Sequence, residues 1–141
     1  MLISAQCWRA CAPWDESFFL YSEETDFALR ARDAGYATRF TPQARAVHLG
    51  GESRQSSGLW SLLVLNRVRL YRRRRGRLRG VAFWAALLLR ELSRAAIGRR
   101  PSRAAARALL SPARWRERPG PAMVQRHAGQ RSRLANPTAP R

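Results

Sequence analysis

Residues 18 to 40 read FFLYSEETDFALRARDAGYATRF, and the reading of the fold starts from them. An aromatic run gives way to Glu23, Glu24 and Asp26, three carboxylates within four positions. Such residues suit the first turn of a helix, where free N–H groups and the helix dipole favour negative charge. Ser22 is the natural cap, Arg30 and Arg32 follow, and Gly35 is a stop signal, so the spacing predicts a helix from about Glu23 to Ala34.

Outward from that helix the pattern is mixed. Upstream, MLI is short, apolar and strand-like, and SAQCWRAC predicts one or two helical turns started by Ser4. APWDESFFLY is an aromatic-rich loop. Downstream, ATRFTPQARAVHLGG predicts two short strands, at about 37–41 and 45–49, separated by Pro42. Together these imply an α/β fold for the first third of the chain.

The charge divides the molecule more sharply. The 141 residues carry a formal net charge of +18, and every basic residue is arginine. Residues 1–55 hold six arginines against seven acids, whereas residues 56–141 hold twenty-one against two. This asymmetry points to an anionic partner for the second part, a membrane surface or nucleic acid. There LWSLLVLNRVRLY leads into the block Arg72 to Arg75, and VAFWAALLLRELSRAAIG follows as a second apolar helical segment. Its uncharged run, Val81 to Leu89, is nine residues long, against about 20 for a membrane span. The pattern thus predicts a basic amphipathic helical region over residues 56–110 and, from the Arg- and Pro-rich composition, a disordered tail over residues 111–141.

Cys7 and Cys11 are the two cysteines, too few for a disulfide framework, and a reducing cytoplasm is the default compartment. Carboxylates at a helix start, aromatics before them and His48 at a strand end ahead of two glycines suit a catalytic cleft.

The stretch PWDESFFLYSEETDFALRARDAGYATRFTPQARAVHLGGES, residues 13–53, resembles the C-terminal half of the catalytic domain of bacterial family-2 glycosyltransferases, especially the rhamnosyltransferase-like branch. The likeness covers about residues 1–55. It implies a GT-A fold, followed here by amphipathic helices and the tail. It also implies transfer of a sugar, with inversion, from a nucleotide-sugar donor to a cell-envelope glycan or lipid-linked acceptor.

Residue by residue, the likeness makes Glu24 the general base, at a place where Asp is commoner in the family, with Glu23 and Asp26 as neighbouring catalytic carboxylates. Trp14 and Asp15 fall on the acceptor side. His48 matches a histidine that helps to hold a divalent cation, Mn²⁺ or Mg²⁺, on the leaving diphosphate. The family's nucleotide-binding half, with its Asp-x-Asp motif, is expected ahead of Met1, and a metal is expected only with it. The implied location is cytoplasmic, peripheral on the inner face of the plasma membrane. The alternative is a basic protein without catalytic activity that binds a membrane surface or, with Trp60, Tyr71, Trp84 and Trp115 among its arginines, nucleic acid.

Overall fold

The computed structural model describes residues 1–45, 47, 56–117 and 120. Its elements, in order, are α1 (Ala5–Cys11), a 3₁₀ turn (Glu16–Phe18), α2 (Glu23–Asp33), α3 (Ser57–Arg75), α4 (Arg77–Ala96), α5 (Arg100–Leu110) and α6 (Pro112–Arg116). The expected α/β architecture, half of a GT-A domain, is therefore corrected: the molecule is a small helical bundle, and no strand occurs among the described residues. The first predicted strand, 37–41, is irregular chain with Phe40 91% exposed. A strand needs a neighbour to take its N–H and C=O groups, and alternation alone supplies none. Pro42 withdraws one donor more. Of the second, residues 46, 48 and 49 lie outside the described residues.

The helices form for local reasons that the sequence carries. Ser4 caps α1 by accepting from the Cys7 N–H at 3.2 Å. Ser22 does stand at the N-cap of α2, but in a left-handed conformation and without a side-chain cap bond. At the other end, Gly35 has φ +87° and the Tyr36 N–H reaches back to the Ala31 carbonyl, closing α2 in the way glycine favours. Ser56 caps α3. A single residue, Gly76, with φ 82° and ψ 176°, separates α3 from α4. That backbone region is essentially reserved for glycine, so the sharp corner between the two long helices is specified by one residue.

Two apolar cores result. The larger joins α3, α4 and α5 through Val64, Leu65, Val68, Leu87, Ala105, Ala108 and Leu109, with Trp60, Phe83, Trp84 and Trp115 around them. Alanines on the buried side of α5 let it approach α3 closely, and these two helices share the most extensive contact. The indoles of Trp84 and Trp115 both donate to the Leu109 carbonyl, at 3.1 and 2.9 Å, satisfying a group that the end of α5 leaves open. The smaller core packs α1 on α2 through Cys7, Cys11, Phe27 and Ala31, with Trp14 and Tyr36. Residues 112–116, set in the tail by composition, are helical, and Arg69 ties them down by donating to the carbonyls of Arg114 and Glu117, each at 3.1 Å. Among the described residues no helix is long and apolar enough to cross a membrane.

Asn66 of α3, which is fully buried, joins the larger core's helix to the 18–21 segment that leads into α2. Its amide donates to the carbonyls of Phe18 and Leu20 at 2.8 Å and of Tyr21 at 3.1 Å. Replacing Asn66 with Ala strands the carbonyls of Leu20 and Tyr21, each costing about 1–3 kcal/mol before relaxation, while that of Phe18 keeps the Leu20 N–H at 2.7 Å. The expected loss of stability is about 2–4 kcal/mol. Urea unfolding measures it as a lower midpoint at unchanged slope, and a change under about 0.5 kcal/mol would refute the assignment.

Candidate functional site

The segment held by Asn66 is conformationally unusual. Phe19, Tyr21 and Ser22 all have positive φ, at 59°, 66° and 80°, in residues that ordinarily avoid that region. Phe18 is fully buried beneath it, and the Arg73 guanidinium lies over the Phe18 ring at 4.8 Å. This fixed turn delivers the start of α2, with its three acids, to the junction with α3.

Each acid there has a different environment. Asp26 is buried and accepts from Arg30 Nε at 2.8 Å, and Arg30 continues to the carbonyls of Cys11 and Pro13, the latter at 2.9 Å. That chain of contacts clasps α1, the following loop and α2, so Asp26 is engaged in holding the fold. One carboxylate oxygen of Glu23, Oε2, is buried and has no hydrogen-bond partner among the described residues. Glu24 is exposed.

Two cavities meet at Glu24. The larger, about 1110 Å³, is lined by Glu24 together with Arg67, Tyr71, Arg74, Arg75 and Arg90. The smaller, about 590 Å³, is lined by Trp14, Asp15, Glu16, Phe19, Glu23 and Glu24. Glu24 thus borders an arginine-rich cleft on one side and an acidic, aromatic cavity on the other. In the larger cleft Arg67 and Arg75 are exposed, and neither forms an ion pair among the described residues. Arg74 pairs with Asp33.

Of the acceptor-side residues expected from the sequence, Trp14 packs on Phe27 with ring centroids 4.9 Å apart, giving it a packing role at the cavity wall. Asp15 caps the 3₁₀ turn through the Ser17 N–H at 2.9 Å and takes Arg73 at 2.6 Å. His48, the expected metal ligand, lies outside the described residues. Among the described residues no group of three His, Cys, Asp or Glu side chains is placed to hold a metal ion. The arginines of α3, which the sequence places in a separate basic region, share in this site. The signal was present: Leu63, Arg67, Leu70, Tyr71 and Arg74 recur at spacings of three and four, which puts them on one helix face.

No family model, curated protein or solved structure matches the chain.

The bridges from the α1–α2 unit to α3 carry a pH signature. Burial opposes ionisation of Asp15, but bonds from Ser17 and the charge of Arg73 outweigh it and hold the carboxyl below its ordinary value. Asp33 is lowered chiefly by its bond from Arg74, against some desolvation. A carboxyl lowered in the folded state contributes stability above its unfolded value, about 3.9, and that contribution disappears as pH falls through the folded value. The thermal unfolding temperature should therefore fall progressively as pH drops from about 5 toward 2. The double variant Asp15→Asn, Asp33→Asn should be less stable at neutral pH and lose less on acidification. An unchanged acid slope would show that the two bridges contribute nothing, as exposed pairs sometimes do.

Proposed function

We propose that the chain serves in glycosyl transfer, with Glu24 as general base between an acceptor and the diphosphate of a nucleotide-sugar donor. The observation that supports this reading is the position of Glu24 on the border of two chemically opposite cavities. An arginine-rich cleft suits a diphosphate, because guanidinium groups offer paired donors and fixed positive charge to phosphate oxygens. An acidic cavity with Trp14 and Phe19 in its walls suits the hydroxyls and apolar faces of a sugar acceptor. Glu23 Oε2 is buried without a hydrogen-bond partner among the described residues, and an acceptor hydroxyl would offer it a donor.

In this reading Glu24 takes the proton of the acceptor hydroxyl as its oxygen attacks the anomeric carbon. The bond from that carbon to the donor's phosphate oxygen breaks, and the diphosphate leaves with the electron pair toward Arg67 and Arg75. Their positive charge favours that departure.

Two measurements test the proposal. Pyrophosphate titrated into the chain should bind, and Arg67→Ala with Arg75→Ala should weaken it by about tenfold or more. Turnover of a nucleotide-sugar donor should fall by about 10²–10⁴ on Glu24→Gln, with pyrophosphate affinity little changed. Absence of pyrophosphate binding, or near-normal turnover in Glu24→Gln, would overturn the assignment. Binding of single-stranded oligonucleotides with no preference for diphosphate would favour the nucleic-acid reading instead.

A further inference from the structure

Helix α4 has two apolar faces where a surface helix ordinarily has one. The inner face carries Leu87 into the larger core, with Phe83, Trp84 and Leu88 beside it. On the opposite face Leu78, Val81, Leu89 and Leu92 are 89%, 61%, 70% and 47% exposed. Ala82, Ala85 and Ala96 continue that face and are also exposed. Their spacing of three, four and seven residues makes one unbroken stripe. At 1.5 Å per residue it runs for about 27 Å, most of the helix. A stripe of this length on a monomer marks a contact surface.

The charges around the stripe identify what it meets. Arg77 and Arg79 flank Leu78 at one end, and Arg99 and Arg100 follow Gly98 at the other; all four are exposed. None of the four forms an ion pair among the described residues. The stripe holds no acid, since Glu91 of the same helix is fully buried on the inner side. A second copy of the chain is a poor occupant. Laid against itself in either direction, the stripe would set arginines against arginines at both ends. Nucleic acid would engage the arginines and leave the leucines in water.

We propose that the outer face of α4 is the surface by which the protein lies on an anionic membrane, leucines entering the acyl boundary and terminal arginines meeting headgroup phosphates. The arrangement is that of an interfacial helix, which lies in the plane of the membrane and does not cross it. The inference stands apart from glycosyl transfer, because vesicle binding is read without any donor or acceptor and involves none of the residues placed around Glu24.

The test is flotation of the full chain with vesicles of phosphatidylcholine alone and of phosphatidylcholine mixed with phosphatidylglycerol. Wild type should bind the mixed vesicles at least about tenfold more tightly, with added salt weakening but not abolishing attachment. Leu78→Glu with Leu89→Glu should lower binding by about tenfold or more at unchanged helical content, both positions being exposed. Arg77→Gln with Arg79→Gln should instead reduce the preference for anionic vesicles while leaving weak binding to neutral ones. Three results would overturn the proposal: wild type remaining unbound, the leucine variant binding as wild type does, or a vesicle-free dimer that the leucine variant dissociates.

Discussion

The whole arrangement depends on one buried amide. Asn66 offers two N–H donors to three carbonyls of the 18–21 segment, so one donor is shared, and its own oxygen accepts from Arg69 at 3.0 Å. Arg69 in turn donates to the carbonyls of α6 and of Glu117 beyond it. Burial and the nearby charge of Arg73 press on the Arg69 guanidinium, and Glu117 offsets them in part. A chain of polar contacts thus runs from the aromatic turn through α3 to the last helix. A buried amide left half-satisfied would cost more than an apolar residue in its place. Fully engaged, it imposes a register that apolar packing alone could not set. The left-handed residues Phe19, Tyr21 and Ser22 persist because the carbonyls beside them have somewhere to point.

Another buried polar group, Glu91, shows the same logic beside the larger core. It is fully buried, yet it accepts from the Trp60 indole and from Arg90, each at 2.9 Å. Arg90 also lies over the Trp60 ring at 5.9 Å. Charge, indole and guanidinium therefore form a closed set linking α3 to α4. Removing Arg90 would leave Glu91 as an uncompensated buried charge, whereas an apolar replacement of all three could be neutral. Such a set contributes more to which helix faces meet than to how strongly they hold.

How much of this was legible depended on whether the deciding contact was local. Ser4, Gly35 and the apolar periodicity of residues 59–71 act within a turn or two, and α1, α2 and α3 follow from them. The role of Asn66 was not legible, because its partners lie more than forty residues away and nothing in LNRVRLY distinguishes a buried amide from an exposed one. The strand expectation for 37–41 failed for the same reason in reverse: a short alternating run is a strand only if another backbone lies beside it. Of the site, the acids of α2 were visible from their order, but their division was not. Asp26 was separated from Glu24 by Arg30, four residues on, whose reach to the carbonyls of Cys11 and Pro13 is a tertiary fact.

The arginines make the same point on a larger scale. A net charge of +18 suggests a uniformly cationic surface, but the structure sorts the arginines by partner. Arg30, Arg69, Arg73 and Arg74 are committed to carboxylates or carbonyls and hold the fold together. Arg67 and Arg75 border the cleft at Glu24, while Arg77 and Arg79 begin the outer face of α4. Gly76 separates those two sets, and its sharp corner turns consecutive arginines of one run toward different surroundings. Had α3 continued straight through residue 76, Arg75, Arg77 and Arg79 would have followed a single helical spiral and neither surface would be distinct. The division of the basic half into two surfaces therefore rests on a backbone conformation that only glycine adopts without strain.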